Sequence, residues 1–277
     1  MRKRISLVVV GIIIVLWCLA PIYWALVVGL STPYQINGSQ PFFFPHPITF
    51  QNFSDLLFGN NSVSGSFLRM AFNSIFEAGM TTIITVVVAT MAGYAFGRYK
   101  FKGSRLLFLV IIGTISLPVY AIIVPLFQLM AQLNLVGTYS GVILVEASAT
   151  LPIATWLMRS YISSLPQAIE EAALIDGASF LTTIRKIVLP LIGPGVASTT
   201  IVVFLFTWSQ FLIPLTFAPS SGAEPLTVFI TQFATKYAVD YGLQSAIGIL
   251  ALIPPAILVV WFNRRLLSGL LTGATTS

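Results

Sequence analysis

The chain has 277 residues, of which 57% are hydrophobic and only 8% are charged. In soluble domains roughly a quarter of the residues are charged. This composition therefore excludes a soluble globular protein and predicts a lipid bilayer as the main solvent of the chain. Because Cys18 and His46 are the only residues of their kinds, the sequence also excludes an internal disulfide and a Cys/His zinc site.

Six apolar segments follow one another along the chain. Each is close to the length of about 20 residues with which a helix crosses the hydrocarbon. A helix suits this environment because it satisfies its own backbone hydrogen bonds where lipid offers no partner. The segments are residues 7–30, 71–96, 106–131, 139–158, 193–217 and 243–262. They predict an all-α, polytopic membrane protein with six transmembrane helices in a single domain, residues 1–277.

The first segment follows three basic residues, as the apolar part of a secretory signal does. Its uncharged run, residues 5–30, is too long for a cleaved signal, and Trp17 before Cys18 is too bulky for a lipoprotein processing site. We therefore expect a retained first span. The third and fourth segments are separated by turn-forming and polar residues, which are Gln132, Asn134, Gly137 and Ser140.

The positions of Lys and Arg predict the orientation, because short cytoplasmic loops retain them. Twelve of the fourteen basic residues lie at the amino terminus, in the second-to-third and fourth-to-fifth loops, and at the carboxyl end; only Arg69 and Lys236 fall on the other side. Both termini should therefore be cytoplasmic, with residues 31–70 as an extracytoplasmic loop. Since the basic residues fill gaps between spans rather than one soluble face, the net charge of +6 does not indicate nucleic-acid binding.

The cytoplasmic loop, residues 160–192, has no apolar run long enough to cross the membrane. Pro166 suits a first helical turn, good helix formers follow, and Gly177 is the residue expected just after a helix end. A second helical pattern begins after Ser179 and ends at residues 190–194, where prolines interrupt it. The loop thus predicts two short helices at the membrane surface.

Seven positions of this loop match a known motif. The match is to EAA-x3-G-x9-I-x-LP, and its residues are Glu171, Ala172, Ala173, Gly177, Ile187, Leu189 and Pro190. Average residue usage makes a chance match rarer than roughly one in ten million windows. The chain therefore resembles the permease subunits of ABC importers, whose EAA motif lies in the cytoplasmic loop before the last two spans.

The residue types of the motif suit a helix that docks on another protein. Small side chains at Ala172 and Ala173 allow close seating, Glu171 can bind a partner cation, and Gly177 permits a tight bend. Asp176 lies at the helix carboxyl end, where the macrodipole disfavours an anion, so a partner outside the helix could use it. An ordinary solvated turn is the alternative for Asp176.

Further stretches extend the resemblance to most of the chain. They include Asn73-Ser74, the GYAFGRYKFKG sequence of residues 93–103, and Arg265 with Gly269. Together they resemble the second permease of maltose-type, carbohydrate-importing ABC systems of prokaryotic cell membranes. The pattern departs at Trp208-Ser209-Gln210-Phe211, where relatives often have WNEF, and this leaves the substrate open.

The resemblance implies a type I ABC importer permease fold and a set of partners. These would be a second homologous permease, two ATP-binding subunits that hold Mg-ATP, and an extracytoplasmic substrate-binding protein. The chain lacks the GxxxxGK[ST] sequence, so we expect no cofactor on it. ATP binding would move the EAA helices and switch the paired permeases between inward-facing and outward-facing states.

Polar groups are costly in a bilayer, so each one within a span calls for an explanation. Three side chains, Glu146, Trp208 and Gln210, are candidates for contact with substrate. Glu146 lies inside the fourth span and either faces the pathway or is paired within the protein. Glu77, near the start of the second span, is expected at the wet outer interface. Trp208 and Gln210 offer a stacking face and an amide to a sugar, with packing as the alternative.

Other functions remain as alternatives. The substrate could be another polar solute, such as a glycerol phosphate, or the chain could be a self-sufficient secondary transporter or channel. A secondary transporter would need its own coupling charges, and the spans offer only Glu77 and Glu146. Such transporters also often contain internal repeats, and the sequence shows no clear repeat. An intramembrane enzyme is excluded because the GxSxG, GxGD and HExxH patterns are absent.

Overall fold

The computed structural model describes residues 2–38, 40–59, 62–218, 222–233 and 239–262. Throughout these ranges every regular element is a helix, as the composition predicts. The contacts divide the chain into two units. Unit 1 contains Met1–Phe72 and Pro225–Pro254, and unit 2 contains Asn73–Glu224 and Pro255–Ser277. The basic residues Lys236, Arg264 and Arg265, which contribute to the predicted orientation, lie outside the described residues.

Fourteen α-helices can be delimited at both ends in the described ranges, and residues 253–262 continue the last of them as helix after a turn at Leu252. They are α1 (Arg2–Gly29), α2 (Pro33–Ile36), α3 (Gln51–Leu57), α4 (Ser62–Arg98), α5 (Ser104–Gly113), α6 (Val119–Gln132), α7 (Tyr139–Ser164), α8 (Ala168–Ile175), α9 (Phe180–Thr183), α10 (Leu189–Leu191), α11 (Gly193–Trp208), α12 (Leu212–Phe217), α13 (Leu226–Phe229) and α14 (Tyr241–Ala251). A π-helical turn, Ile184–Val188, joins α9 to α10. Short 3-10 turns follow α5 and α13.

Four of the predicted spans are helices long and apolar enough to cross a membrane. They are Ser6–Gly29, Val63–Arg98, Tyr139–Ser164 and Tyr241–Phe262. Two bent helix pairs bring the number to six if each pair is one span. The prediction of six spans agrees with this arrangement, but the third and fifth are not single helices as the apolar runs suggested.

Both breaks coincide with prolines. In the third span the helix stops after a 3-10 turn because Leu117, directly before Pro118, is extended at φ −75° and ψ 122°, and a residue before proline avoids the helical region. In the fifth span Phe180–Leu191 and Gly193–Trp208 meet at 70° around Ile192, close to Pro190 and Pro194. This span is interrupted again between α11 and α12, so the predicted helix over residues 193–217 is wrong in detail.

Unit 1 is held together by α1, α3 and α14. The Asn52 side chain is buried and donates from Nδ2 to the carbonyls of Gly29, at 2.9 Å, and Ser31, at 3.3 Å. These bonds fix the end of α1 to α3. The predicted loop of residues 31–70 is shorter than expected, because α4 begins at Ser62 and so takes up its last nine residues.

Unit 2 is built on α4 and α7, which run parallel with a constant register. Tyr139 bonds Asn73 across an offset of 66 residues, while the Thr81–Glu146 and Thr85–Thr150 bonds have offsets of 65. Glycine allows the helices to approach closely: a Cβ on Gly93 would lie 2.8 Å from the backbone nitrogen of Arg159. The apolar core beside this contact comprises Val86, Ala89, Ala154, Met158, Ile162, Val188, Ile192 and Val203.

Candidate functional site

The first half of the EAA motif forms the helix α8 and its end. Gly177 adopts φ +84°, and its N–H donates to the Leu174 carbonyl at 3.1 Å while the Ala178 N–H donates to Ala173 at 3.0 Å. These two bonds form a Schellman motif, in which glycine is favoured because a side chain at positive φ is strained. The short helix therefore ends where the sequence predicted.

The two faces of α8 have different surroundings. Glu170 and Ala173 are buried, at 8% and 6% exposure, whereas Ile175 is 85% exposed. Glu171 and Ala172 are also exposed. Because residues three apart share a helix face, the motif is divided: one edge of α8 packs on its own chain, and the edge with Glu171 is open to another protein.

Glu170 is the residue that attaches α8 to α4. Its Oε1 accepts from Arg98 Nε at 2.6 Å, and its Oε2 accepts from the Tyr94 hydroxyl at 2.7 Å. Both side chains of the Arg98–Glu170 ion pair are about nine-tenths buried. Tyr94 also packs edge-on against Phe180 of α9. We name this group of four residues the α4–α8 contact.

The second half of the motif lies in the turn that leads into the bent fifth span. Ile187 is half-buried in the π-helical turn, and Leu189 and Pro190 follow it on the surface. The Leu189 N–H bonds back to Ile184, five residues earlier. Arg185 and Lys186 are exposed beside the buried Val188. Thus the structure does not bring this half onto the exposed edge of α8.

Glu146 and Glu77 lie in the interface between α4 and α7. Each is only 2% exposed, and Thr81 Oγ1 donates to Glu146 Oε2 at 3.3 Å. The expectation that Glu77 is wet at an outer interface is wrong, because it lies on the face of α4 that packs within unit 2. The position of Glu77 in the sequence indicated the end of a span, but only the packing of α4 shows that the face with Glu77 is covered.

A cavity of about 310 Å³ opens elsewhere in unit 2. Its lining is mostly apolar, with three polar residues, Thr114, Ser148 and Gln210. Gln210 follows the end of α11, where the fifth span is interrupted, so its position at the cavity arises from the break. Trp208 is outside the lining and stacks on Phe204 with ring centroids 5.6 Å apart. Glu146 is outside it as well, so the three predicted pathway residues do not form one site.

The roles of Asn73 and Glu170 are visible in the structure but not in the sequence motifs. Asn73 donates from Nδ2 to the carbonyls of Gly222 and Glu224, both at 2.8 Å, and accepts from the Tyr139 hydroxyl. It thus fixes the segment after α12 onto α4 and α7. Spacing could have indicated Glu170, because it lies three residues before Ala173 and on the same helix face.

Comparison with known proteins identifies relatives over nearly the whole chain. The sulfoquinovosyl glycerol transport system permease protein SmoH of Agrobacterium fabrum is 32% identical, over 92% of this chain and 88% of its own. The trehalose/maltose transport system permease protein MalG of Thermococcus litoralis is 31% identical, over 98% and 96%. The arabinooligosaccharides transport system permease protein AraQ of Halalkalibacterium halodurans is 32% identical, over 88% and 85%.

A solved structure shows the same fold. It is a bacterial ABC transporter involved in the import of the acidic polysaccharide alginate, which matches with a TM-score of 0.79 at 22% identity and covers 95% of both chains. The family described as binding-protein-dependent transport system inner membrane component matches residues 89–271, a range that includes the EAA motif, the α4–α8 contact and the cavity. The chain therefore belongs to this family of multi-pass membrane proteins, the permease subunits of ABC importers.

Proposed function

We propose that this permease subunit imports a sugar or an oligosaccharide, together with a second permease, two ATP-binding subunits and an extracytoplasmic binding protein. The exposed edge of α8, with Glu171 and Ile175, is the observation that supports coupling to an ATPase. An acidic and apolar edge on a short helix, fixed from behind by buried bonds, can transmit a rigid-body movement. Mg-ATP would bind to the partners and not to this chain.

The carbohydrate substrate is supported by the relatives. Their names specify trehalose and maltose, arabinooligosaccharides, and a sulfoquinovosyl glycerol, each of which contains a sugar. The cavity is large enough for part of such a ligand, since small-molecule sites start at about 300 Å³. Its three polar side chains are fewer than the hydroxyls of a sugar, so we expect the second permease to provide further hydrogen bonds.

Uptake by the purified complex tests this proposal. The natural complex would be copurified, placed in proteoliposomes with its binding protein, and tested with a panel of monosaccharides, oligosaccharides and glycerol phosphates. We expect ATP-dependent uptake of one carbohydrate class. Uptake without the ATP-binding subunits, or a preference for a glycerol phosphate, would contradict it.

Gln210 provides a test of the pathway. We expect Gln210→Leu to lower sugar uptake by roughly tenfold or less, because one hydrogen bond contributes about 1 kcal/mol, with ATPase attachment unchanged. Ser209→Ala is the matched control, since Ser209 is exposed, is not part of the cavity lining, and uses its hydroxyl to donate to the backbone carbonyl of Phe206. Equal uptake rates for both variants would show that Gln210 does not contribute to the substrate pathway.

A further inference from the structure

The contact between α4 and α8 links two parts of the chain that are far apart in sequence. Arg98 and Glu170 are separated by 72 residues, and the intervening chain includes the bent third span and α7. The two side chains form an ion pair and are both about nine-tenths buried. A displacement of α8 therefore has a direct route into α4 that bypasses α5, α6 and α7.

We propose that Arg98 and Tyr94 are positioning residues that hold Glu170 and transmit the movement of α8 into α4. This inference rests on the proposed function, in which an ATPase moves α8. Each oxygen of the Glu170 carboxylate is held by a different residue of α4. Arg98 and Tyr94 are four residues apart and so lie on one face of that helix, which fixes both the position and the rotation of the carboxylate.

The surrounding packing makes this attachment stiff. Phe180, directly after the turn that ends α8, packs against Tyr94 with ring centroids 5.9 Å apart. Tyr94 thus contacts residues on both sides of the helix end. Behind it, Gly97 lies against α7, where a Cβ would meet the Ser163 hydroxyl at 3.2 Å and Ile162 at 3.3 Å. A movement of α8 would consequently displace α4 and α7 together.

The Arg98 guanidinium is incompletely bonded in this conformation. Its Nη2 is buried without a hydrogen-bond partner among the described residues, although buried donors are nearly always paired. Arg98 therefore binds the carboxylate through Nε alone and not in the two-pronged geometry that arginine and carboxylate favour, because the Tyr94 hydroxyl holds the second oxygen.

The number of substrate molecules imported per ATP hydrolysed tests the inference in the complete, reconstituted complex. We expect Arg98→Gln to leave the ATP-binding subunits attached but to lower this ratio about fivefold or more, the usual lower range for coupling between sites. Tyr94→Phe should lower it less. Exchange of the pair, Arg98→Glu with Glu170→Arg, should restore part of the loss. Lys102→Gln is the control, because Lys102 is exposed near the same end of α4.

A distance measurement provides a second test that is independent of uptake. Spin labels at Ile169 and Met91, both exposed and neither on the edge of α8 that carries Glu171 and Ile175, would be introduced in a Cys18→Ser background. We expect their separation to stay constant between nucleotide-free and ATP-bound complexes, and to become variable in Arg98→Gln.

The outcomes separate the two proposals. A wild-type complex that shows no ATP-driven uptake would overturn the proposed function, and this inference with it. An Arg98→Gln complex that assembles and retains the wild-type ratio would overturn the inference alone. A wild-type label separation that changes with nucleotide would do so as well.

Discussion

Glu170 and Glu171 are neighbours in sequence with opposite surroundings. The first is buried and bonded to Arg98, and the second is exposed. The motif indicated Glu171 because a fixed spacing along the sequence is enough to recognise that position. Glu170 has no such local signal, because its partners belong to α4, a helix that is distant in sequence. Local signals, such as Gly177 after a run of helix formers, were therefore sufficient for the end of α8. The burial of Glu170 and Glu77 required knowledge of which helices pack together.

At Gly177, the backbone conformation alone should decide which substitutions the protein tolerates. A Cβ there would meet nothing within 4 Å, but φ is +84°. We expect Gly177→Ala to destabilise the protein by about 1–2 kcal/mol, the cost of a left-handed residue with a side chain, and Gly177→Asn by less. Gly177→Pro should be worse, because proline fixes φ near −65° and removes the N–H bonded to Leu174. Thermal unfolding in detergent would measure this order, and equal effects of all three would contradict it.

Charge reversal at Glu171 should separate attachment from folding. Because this side chain is exposed, Glu171→Lys should change the free energy of unfolding by less than about 0.5 kcal/mol while weakening the copurification of ATP-binding subunits. Asp176→Asn is the comparison, since Asp176 is exposed at the helix carboxyl end, where an anion is unfavourable. If the Glu171→Lys complex retains its ATPase at wild-type levels, the exposed edge of α8 is not the docking surface.

At the scale of elements, the straight spans agree with their apolar runs and the bent ones do not. Hydropathy reports how apolar a segment is and contains no information on its direction. The breaks at Pro118 and between Pro190 and Pro194 could have been suspected from the prolines, but their angles depend on the packing of adjacent helices. The interruption after Trp208 that brings Gln210 to the cavity has no comparable signal.

The packing of α4 against α7 requires a glycine at position 93 but not at position 79. A Cβ on Gly93 would lie 2.8 Å from the Arg159 backbone, whereas one on Gly79 would have nothing within 4 Å. We expect Gly93→Ala to destabilise the protein by about 1–3 kcal/mol, because the helices must separate. Gly79→Ala should be neutral or stabilising by up to about 1 kcal/mol. Thermal unfolding midpoints of the two variants would measure this difference. Similar midpoints would contradict the close contact between α4 and α7 at Gly93.

At the scale of the molecule, family membership and fold were predictable because composition, span number and the EAA spacing are all recorded in the sequence. Which face of each span meets lipid and which meets another part of the protein or a partner was not, since apolar side chains suit all of them. The identity of the proposed substrate depends on those faces, and the cavity with Gln210 is the first place to seek it.

The predicted orientation can be measured directly. In a Cys18→Ser background, Gln167→Cys and Phe43→Cys place single thiols at exposed positions that we expect on the cytoplasmic and extracytoplasmic sides. A membrane-impermeant maleimide added to intact cells or spheroplasts should label the second and spare the first until the membrane is opened. The reverse pattern would overturn the placement of the EAA loop.

The shared register of α4 and α7 limits how a gate can open. A slide of one helical turn is about 5.4 Å, and it would break the Asn73–Tyr139, Thr81–Glu146 and Thr85–Thr150 bonds at once. Where lipid surrounds the protein, those groups would find no water to replace their partners. A slide of one helix past the other therefore costs these bonds, whereas a movement of both together keeps them, so we expect α4 and α7 to tilt together when access to the cavity changes.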